Sequence, residues 1–340
     1  MSEKFVACAA AIVSALVPVG VTAQGLEAVG NRAAAMTAFV AVADDASAVV
    51  WNPSGLAQGP FFNLSLGVGR ANDGTSAQPE LTGGAGRQQA TLIALGLPPI
   101  GVSYYRMGTT VLQPISPAGQ LSPIRQDYQV SVRSLFTSHL GVTVVHSLGD
   151  HVTVGATAKL VHGNVAADTT TIRTWSDGFE YAESLETRGS TKGDLDVGAL
   201  LAGGHFRAGL LARNLTEPTF ETGDGTGAAA SLERHVRLGV AWGDRWPGLP
   251  NTIVAFDADA TRTFHASGDR RDVAAGIERW LAGRRVGVRG GLRTSTVGDA
   301  RPVASAGGSV ALRSGLYVDG YFARGTHEDR AWGIGARVTY

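Results

Sequence analysis

Three observations predict an all-β chain closed into a transmembrane antiparallel barrel of about fourteen strands. The chain ends on an alternating strand, Arg330 to Tyr340, in which Trp332, Ile334, Ala336, Val338 and Tyr340 share one face and Gly333, Gly335, Arg337 and Thr339 the other. One face of such a strand suits lipid and the other a barrel interior. Period-two segments of the same kind recur along the whole chain, separated by turn residues. A leader-like N-terminus is followed by no other run approaching the roughly 18 apolar residues that a membrane helix needs, which excludes helical spanning.

The leader comes first in order. Lys4 precedes a mostly apolar run from Phe5 to Val19, and Val21-Thr22-Ala23 offers the small-residue pattern of a signal-peptidase site. Residues 1–23 are therefore expected to be a signal peptide cleaved after Ala23, followed by an N-terminal segment over 24–59 and a barrel over 60–340. Cys8, the one cysteine, lies inside the leader, so a mature chain has no disulfide and no lipidated N-terminal cysteine. Among 340 residues there are 46 glycines, 44% are apolar and 17% charged, and Lys+Arg equals Asp+Glu at 29 each. Such a balance gives no electrostatic reason for a nucleic-acid partner, and the glycine content suggests tight turns between many strands.

The strand candidates are 60–70, 88–97, 99–107, 125–147, 151–162, 192–203, 204–215, 232–243, 251–262, 272–282, 284–294, 303–313, 315–324 and 330–340, the fourth being long enough for two. Junctions at Pro98-Pro99, Gly149-Asp150, Gly203-Gly204, Gly283-Arg284 and Ser314-Gly315 are short, whereas 71–87, 108–124, 163–191 and 216–231 are long and polar. Short turns at one end and long loops at the other is the asymmetry of membrane barrels.

The two faces separate by charge. Val152, Val154, Ala156, Ala158 and Leu160, then Leu195, Val197, Ala199 and Leu201, then Phe206, Ala208 and Leu210 form an outward frame free of charge. The opposite frame holds Lys159, Asp194, Asp196, Arg207, Arg213, Arg237, Asp257, Asp259, Glu278, Arg289, Arg293, Asp319 and Arg337. Acidic and basic strands tend to alternate, Arg237 being expected opposite Asp257 and Asp259, and cross-strand pairing rewards that order. Balanced interior charge points to a narrow or filled lumen rather than a wide pore of one sign.

Residues 30–57 do not read as strand. Asp44-Asp45-Ala46-Ser47 can cap and start a short helix, Asn52-Pro53 ends helical geometry, and Gly55 permits a turn. The segment runs Gly30-Asn31-Arg32-Ala33 to Met36, through Val42-Ala43-Asp44-Asp45-Ala46-Ser47-Ala48, to Trp51-Asn52-Pro53-Ser54-Gly55-Leu56. In this it resembles the N-terminal signature of the FadL-type outer-membrane transport superfamily, especially its PorV/PorQ-like branch. Later stretches such as Asp196-Val197-Gly198-Ala199, Ala255-Phe256-Asp257 and Gly276-Ile277-Glu278 fit the same branch. The resemblance implies that Gly30, Arg32, Met36, Asp44, Asp45, Ser47, Trp51, Asn52, Pro53 and Gly55 belong to a hatch that enters the barrel, either sealing it or gating it. Irregular backbone at membrane depth needs protein or internal water around it, as a filled lumen provides.

No catalytic or metal-binding spacing emerges. His139, His146, His151 and His162, with Asp44 or Ser47, match neither a triad nor a metal motif, and Gly83-Gly84-Ala85-Gly86 opens no helix that could cradle a phosphate. The chain is expected to be no enzyme and to need no cofactor. Three functions share the architecture: a channel for hydrophobic small molecules in the outer membrane of a Gram-negative-type bacterium, a PorV-like component of protein secretion or surface assembly, and a sealed structural barrel. For the first, Phe39, Trp51, Phe61 and Phe62 are candidate ligand contacts. Trp332 and Tyr340 are the candidate signal for the outer-membrane assembly machinery. Expected partners are outer-membrane lipid, that machinery, and hydrophobic molecules or exported proteins.

Overall fold

The computed structural model describes residues 21–22, 29–74, 83–115, 127–185, 187, 189–222, 229–246, 249–265, 268–298, 300–326 and 328–340. The predicted leader and its cleavage after Ala23 lie outside these residues apart from Val21–Thr22, which pairs in parallel with Ala230–Ser231. Fourteen strands close into one antiparallel barrel. They are β1 (Asn63–Asp73), β2 (Ala85–Leu97), β3 (Ile100–Pro114), β4 (Tyr128–Leu148), β5 (Val152–Ile172), β6 (Gly189–Gly203), β7 (Phe206–Arg213), β8 (His235–Gly243), β9 (Thr252–Asp259), β10 (Asp272–Leu281), β11 (Val286–Ser295), β12 (Val303–Arg313), β13 (Leu316–Gly325) and β14 (Arg330–Thr339). Every strand pairs with its sequence neighbours, and β14 closes on β1 with Ile334 opposite Val68 and Val338 opposite Leu64. Closure leaves the barrel no free edge, which is how a sheet satisfies its backbone in lipid.

The long fourth candidate is a single strand of 21 residues, as is β5. Residues 163–191, expected as a loop, are largely ordered into strand and helix. Their first part continues β5 to Ile172, and Trp175–Ser184 forms a helix, α3. The polar run Asp168 to Thr171 hides the strand alternation, because this part of the wall stands beyond the apolar band. Thr174 and Asp177 cap each other's backbone N–H groups at the start of α3, and those hydrogen bonds hold the Asp177 carboxyl below the usual carboxylate range. Trp175, Phe179 and Ala182 then lay one face of α3 on Leu112, Val130, Val132 and Ile172 of the extended strands. On the inner side of the same extension, Phe220 from the short strand Thr219–Glu221 covers Leu135, Val161 and Val165.

The assigned frames hold along the strands. Leu140, Val142, Val144, Leu160, Leu210, Val240 and Phe256 are exposed on the outer face, while Lys159, Asp194, Asp196 and Glu278 are buried on the inner face. Such a ring of exposed Leu, Val and Phe is unfavourable in water at about 25 cal/mol per Å² and is what a lipid-facing wall requires. The outer face is not wholly free of charge: Arg106, Arg324 and Arg330 are exposed on it toward the long-loop end, and Arg279 toward the short-turn end.

Candidate functional site

The barrel interior is occupied by residues 29–58. Helix α1 (Asn31–Met36) starts after Gly30, whose φ of 78° suits glycine, and stops at Thr37, whose N–H bonds back to Ala33 O while its hydroxyl lies 3.2 Å from both Ala275 O and Leu292 O of the wall. Helix α2 (Ala48–Trp51) follows Ser47. The expected side-chain cap is absent there, because Asp45 instead accepts from the N–H and hydroxyl of Ser47. Asn52 does cap the next turn, the 3-10 helix Pro53–Gln58, and its amide donates to Val40 O at 2.9 Å and to Ala199 O of β6 at 3.3 Å. Gly55 makes no turn of its own. It lies in this 3-10 helix and is required because the Ala43 carbonyl packs where a Cβ would stand.

Glycine also shapes the wall around this segment. Gly155, Gly198, Gly209, Gly276, Gly291 and Gly307 face inward on six strands, and a Cβ at each would collide with Pro53, Asn52, Val40, Met36, Met36 and Ala35 respectively. Glycine abundance therefore serves close approach as well as turns. The signal was present in the sequence, since these glycines fall in the same alternating frame as the interior charges.

Charge then ties the segment to the wall. Arg32 makes a bidentate contact with Glu278 of β10, both N···O distances being 2.8 Å, and also pairs with Asp44 and with Asp45 at 3.3 Å. Glu278 is fully buried and accepts further from Arg289 of β11 and from Trp280 Nε1 at 3.0 Å. Arg289 and Arg337 reach Asp319 at 3.6 and 3.5 Å, and Arg337 reaches Asp45 at 3.6 Å, which closes a circuit through the inner segment. A second anchor is Asp257 of β9, which accepts the backbone N–H of Phe39 at 2.7 Å and of Val40 at 3.1 Å. Asp257 is thus hydrogen-bonded to the inner segment, while Arg237 hydrogen-bonds across the strands to Asp259, at 2.5 and 3.1 Å. Lys159 joins Asp194 at 2.8 Å and Asp196 at 2.7 Å, with Arg213 at 3.8 Å from Asp196. Arg293 meets Asp272 at 3.1 Å, and Arg207 stacks over Trp246 at 4.1 Å.

Two cavities accompany this arrangement. A cavity of about 60 Å³ lies between α1 and the wall, with Ala33, Ala34, Trp51, Val303, Tyr321, Ala323 and Ala331 forming its apolar side and His235, Arg237, Asp259, Asp272 and Arg293 its polar side. Its charged groups neutralise one another, His235 Nε2 adding a 2.8 Å contact to Asp259. A larger cavity of about 250 Å³ is set into the wall, lined by Gln89, Thr91, Arg106, Phe136 and Ser138 of the outward frame and by Ala90, Met107 and Thr137 of the inward frame. Strand pairing continues through it.

The four aromatic candidates are not brought together. Phe39 and Trp51 meet edge to face with centroids 6.1 Å apart, but Phe61 is 75% exposed and Phe62 packs on Tyr340 at 6.2 Å, at the short-turn rim. They sit just ahead of β1, where the chain has already left the interior. His139 is buried against Tyr105, His146, His151 and His162 are exposed, and His162 falls inside β5 rather than near its end. No group of three metal-ligating side chains occurs among the described residues. Neither cavity was foreseen, because each is assembled from residues of several strands with no local motif.

A family model described as "F plasmid transfer operon, TraF, protein" matches residues 100–248, less than half of the chain. No curated protein matches it in sequence. Among solved structures, the Pseudomonas putida toluene transporter TodX superposes with a TM-score of 0.62 at 11% identity, covering 93% of this chain and 99% of that one. The Ralstonia pickettii toluene transporter TbuX gives 0.61 at 14% identity, covering 93% and 99%. A Pseudomonas aeruginosa FadL homologue gives 0.58 at 11%, covering 94% and 99%. At these identities the likeness is one of fold, extending over nearly the whole of each chain: a closed fourteen-strand barrel of the FadL-like type.

Proposed function

We propose that this chain is a non-enzymatic barrel of the Gram-negative outer membrane that admits compact, uncharged hydrophobic molecules, with residues 24–59 acting as its plug. The observation that carries this reading is the cavity between α1, Trp51 and the wall, apolar on one side and internally neutral on the other. A carboxylate entering it would have to break the Arg237–Asp259 or Arg293–Asp272 pair, which disfavours long-chain fatty acids; at about 60 Å³ the cavity is smaller than the roughly 150 Å³ that holds benzene, so even a compact molecule enters only if the plug shifts. The toluene transporters of like fold lend support by analogy.

The test is a lock. A Cβ built at Gly198 lies 3.2 Å from Asn52 Cγ, so Asn52→Cys with Gly198→Cys brings one sulfur to bonding reach of the other side chain. In reconstituted vesicles the reduced protein should take up toluene or a hydrophobic dye, and the oxidised protein should not. Uptake unchanged by oxidation would reject plug movement. Absence of uptake in either state would favour the second reading, a PorV-like component of secretion or surface assembly.

A further inference from the structure

The outer face carries a cluster of arginines that the interior does not account for, one of which, Arg106, also lines the wall cavity. On five neighbouring strands, β13, β14, β1, β2 and β3, the outward frame bears Arg324, Arg330, Arg70, Arg87 and Arg106 at the long-loop edge of the apolar band. Arg324 stands directly opposite Arg330, and Arg330 opposite Asn72, which in turn faces Arg87. Like charges directly opposite in a sheet repel, so this order is costly unless an anion lies over it. The acids at hand do not suffice. Glu328 holds Arg330 at 2.5 Å and Glu183 of α3 approaches Arg87 at 3.8 Å, with Glu180 nearby, whereas Arg70, Arg106 and Arg324 make no ion pair among the described residues. Arg70 Nε is enclosed and has no hydrogen-bond partner among the described residues.

Depth identifies the partner. Phe322 faces Trp332 and Trp332 faces Arg70, a row immediately below Arg324 and Arg330. Tryptophan sits at the boundary between hydrocarbon and headgroups, and the long guanidinium side chains at or just above its row extend outward from there to the level of the outer-leaflet phosphates. Guanidinium binds phosphate through paired N–H donors, and more strongly than an ammonium group can. We propose that the β13–β3 face binds phosphorylated glycolipid headgroups of the outer leaflet, whose phosphates bridge Arg324 to Arg330 and partner Arg70 and Arg106.

The experiment is native mass spectrometry of the full-length protein in phosphatidylcholine nanodiscs containing either bis-phosphorylated lipid A or its dephosphorylated form. Wild type should retain the phosphorylated lipid and not the dephosphorylated one. Each arginine removed should weaken retention about five-fold, so Arg70→Gln/Arg106→Gln/Arg324→Gln should lose roughly 100-fold. Arg279→Gln, at the opposite rim, should retain lipid like wild type. Heat-modifiability on gels checks that each variant is folded, and Arg324→Gln alone serves if the triple variant is not. Equal retention of the two lipids, a triple variant indistinguishable from wild type, or an equal loss in Arg279→Gln would each overturn the assignment.

Discussion

Replacing Glu278 by Gln removes one charge from the centre of the circuit that joins the inner segment to the wall while keeping the side chain's shape. Glu278 is completely buried and serves Arg32, Arg289 and Trp280 at once. Removing one member of a buried pair costs about 3–5 kcal/mol when the other charge is left without compensation. Arg32 keeps Asp44 and Asp45, but among the described residues Arg289 keeps one acid, Asp319 at 3.6 Å, and the face of Trp280 at 5.3 Å. The expected loss is therefore about 2–4 kcal/mol, most of it from Arg289. Guanidinium unfolding in lipid vesicles, followed by tryptophan fluorescence, measures it. Adding Arg289→Met should return part of the loss, because the orphaned charge is then gone, with a coupling of at least about 1 kcal/mol. A single-variant loss below about 1 kcal/mol, or strict additivity in the double variant, would refute the idea that this buried circuit holds the segment in place.

Asp257→Ala should free the Phe39 and Val40 amides, raising hydrogen exchange and protease cleavage there while strand amides stay protected; unchanged exchange at 39–40 would place the anchor elsewhere. Deleting Tyr340, whose backbone exchanges hydrogen bonds with Phe62 at 3.0 and 2.9 Å, should leave the β14–β1 seam open at its rim and the protein unassembled, seen as loss of heat-modifiability; normal insertion would show that the terminal residue is dispensable. Arg237→Ala should couple more strongly to Asp259→Asn than to Asp257→Asn in double-mutant cycles of stability, because Asp259 hydrogen-bonds the guanidinium whereas Asp257 acts on it through space; the reverse order would contradict the observed pairing.

The wall was legible because its code is local. A two-residue period sorts Leu160 outward and Lys159 inward whatever surrounds them, and the terminal strand carries that period without interruption. The pairing partners were less so. Arg237 sees two aspartates on the next strand, and the choice between them is made by backbone N–H groups of Phe39 and Val40, which lie 218 and 217 positions from Asp257. The extension of β5 and the helix α3 were hidden for a related reason: beyond the lipid band both faces of a strand can be polar or covered, so alternation stops reporting the frame. Phe61 and Phe62 illustrate the limit of adjacency, since a chain leaving the lumen turns two neighbouring aromatics of Trp51 into rim residues within a few positions.

The inward glycines have a consequence for what this barrel would be without its first residues. Where Gly155, Gly198, Gly209, Gly276, Gly291 and Gly307 face the centre, the wall is bare peptide, and the inner segment supplies the bulk that side chains supply in a barrel filled from its own strands. Excising 29–58 would therefore leave bare peptide facing the lumen at these six positions, with only the charged side chains of the neighbouring rungs to fill the space. The chain carries its own filling, laid down by the ribosome before any of the wall around it.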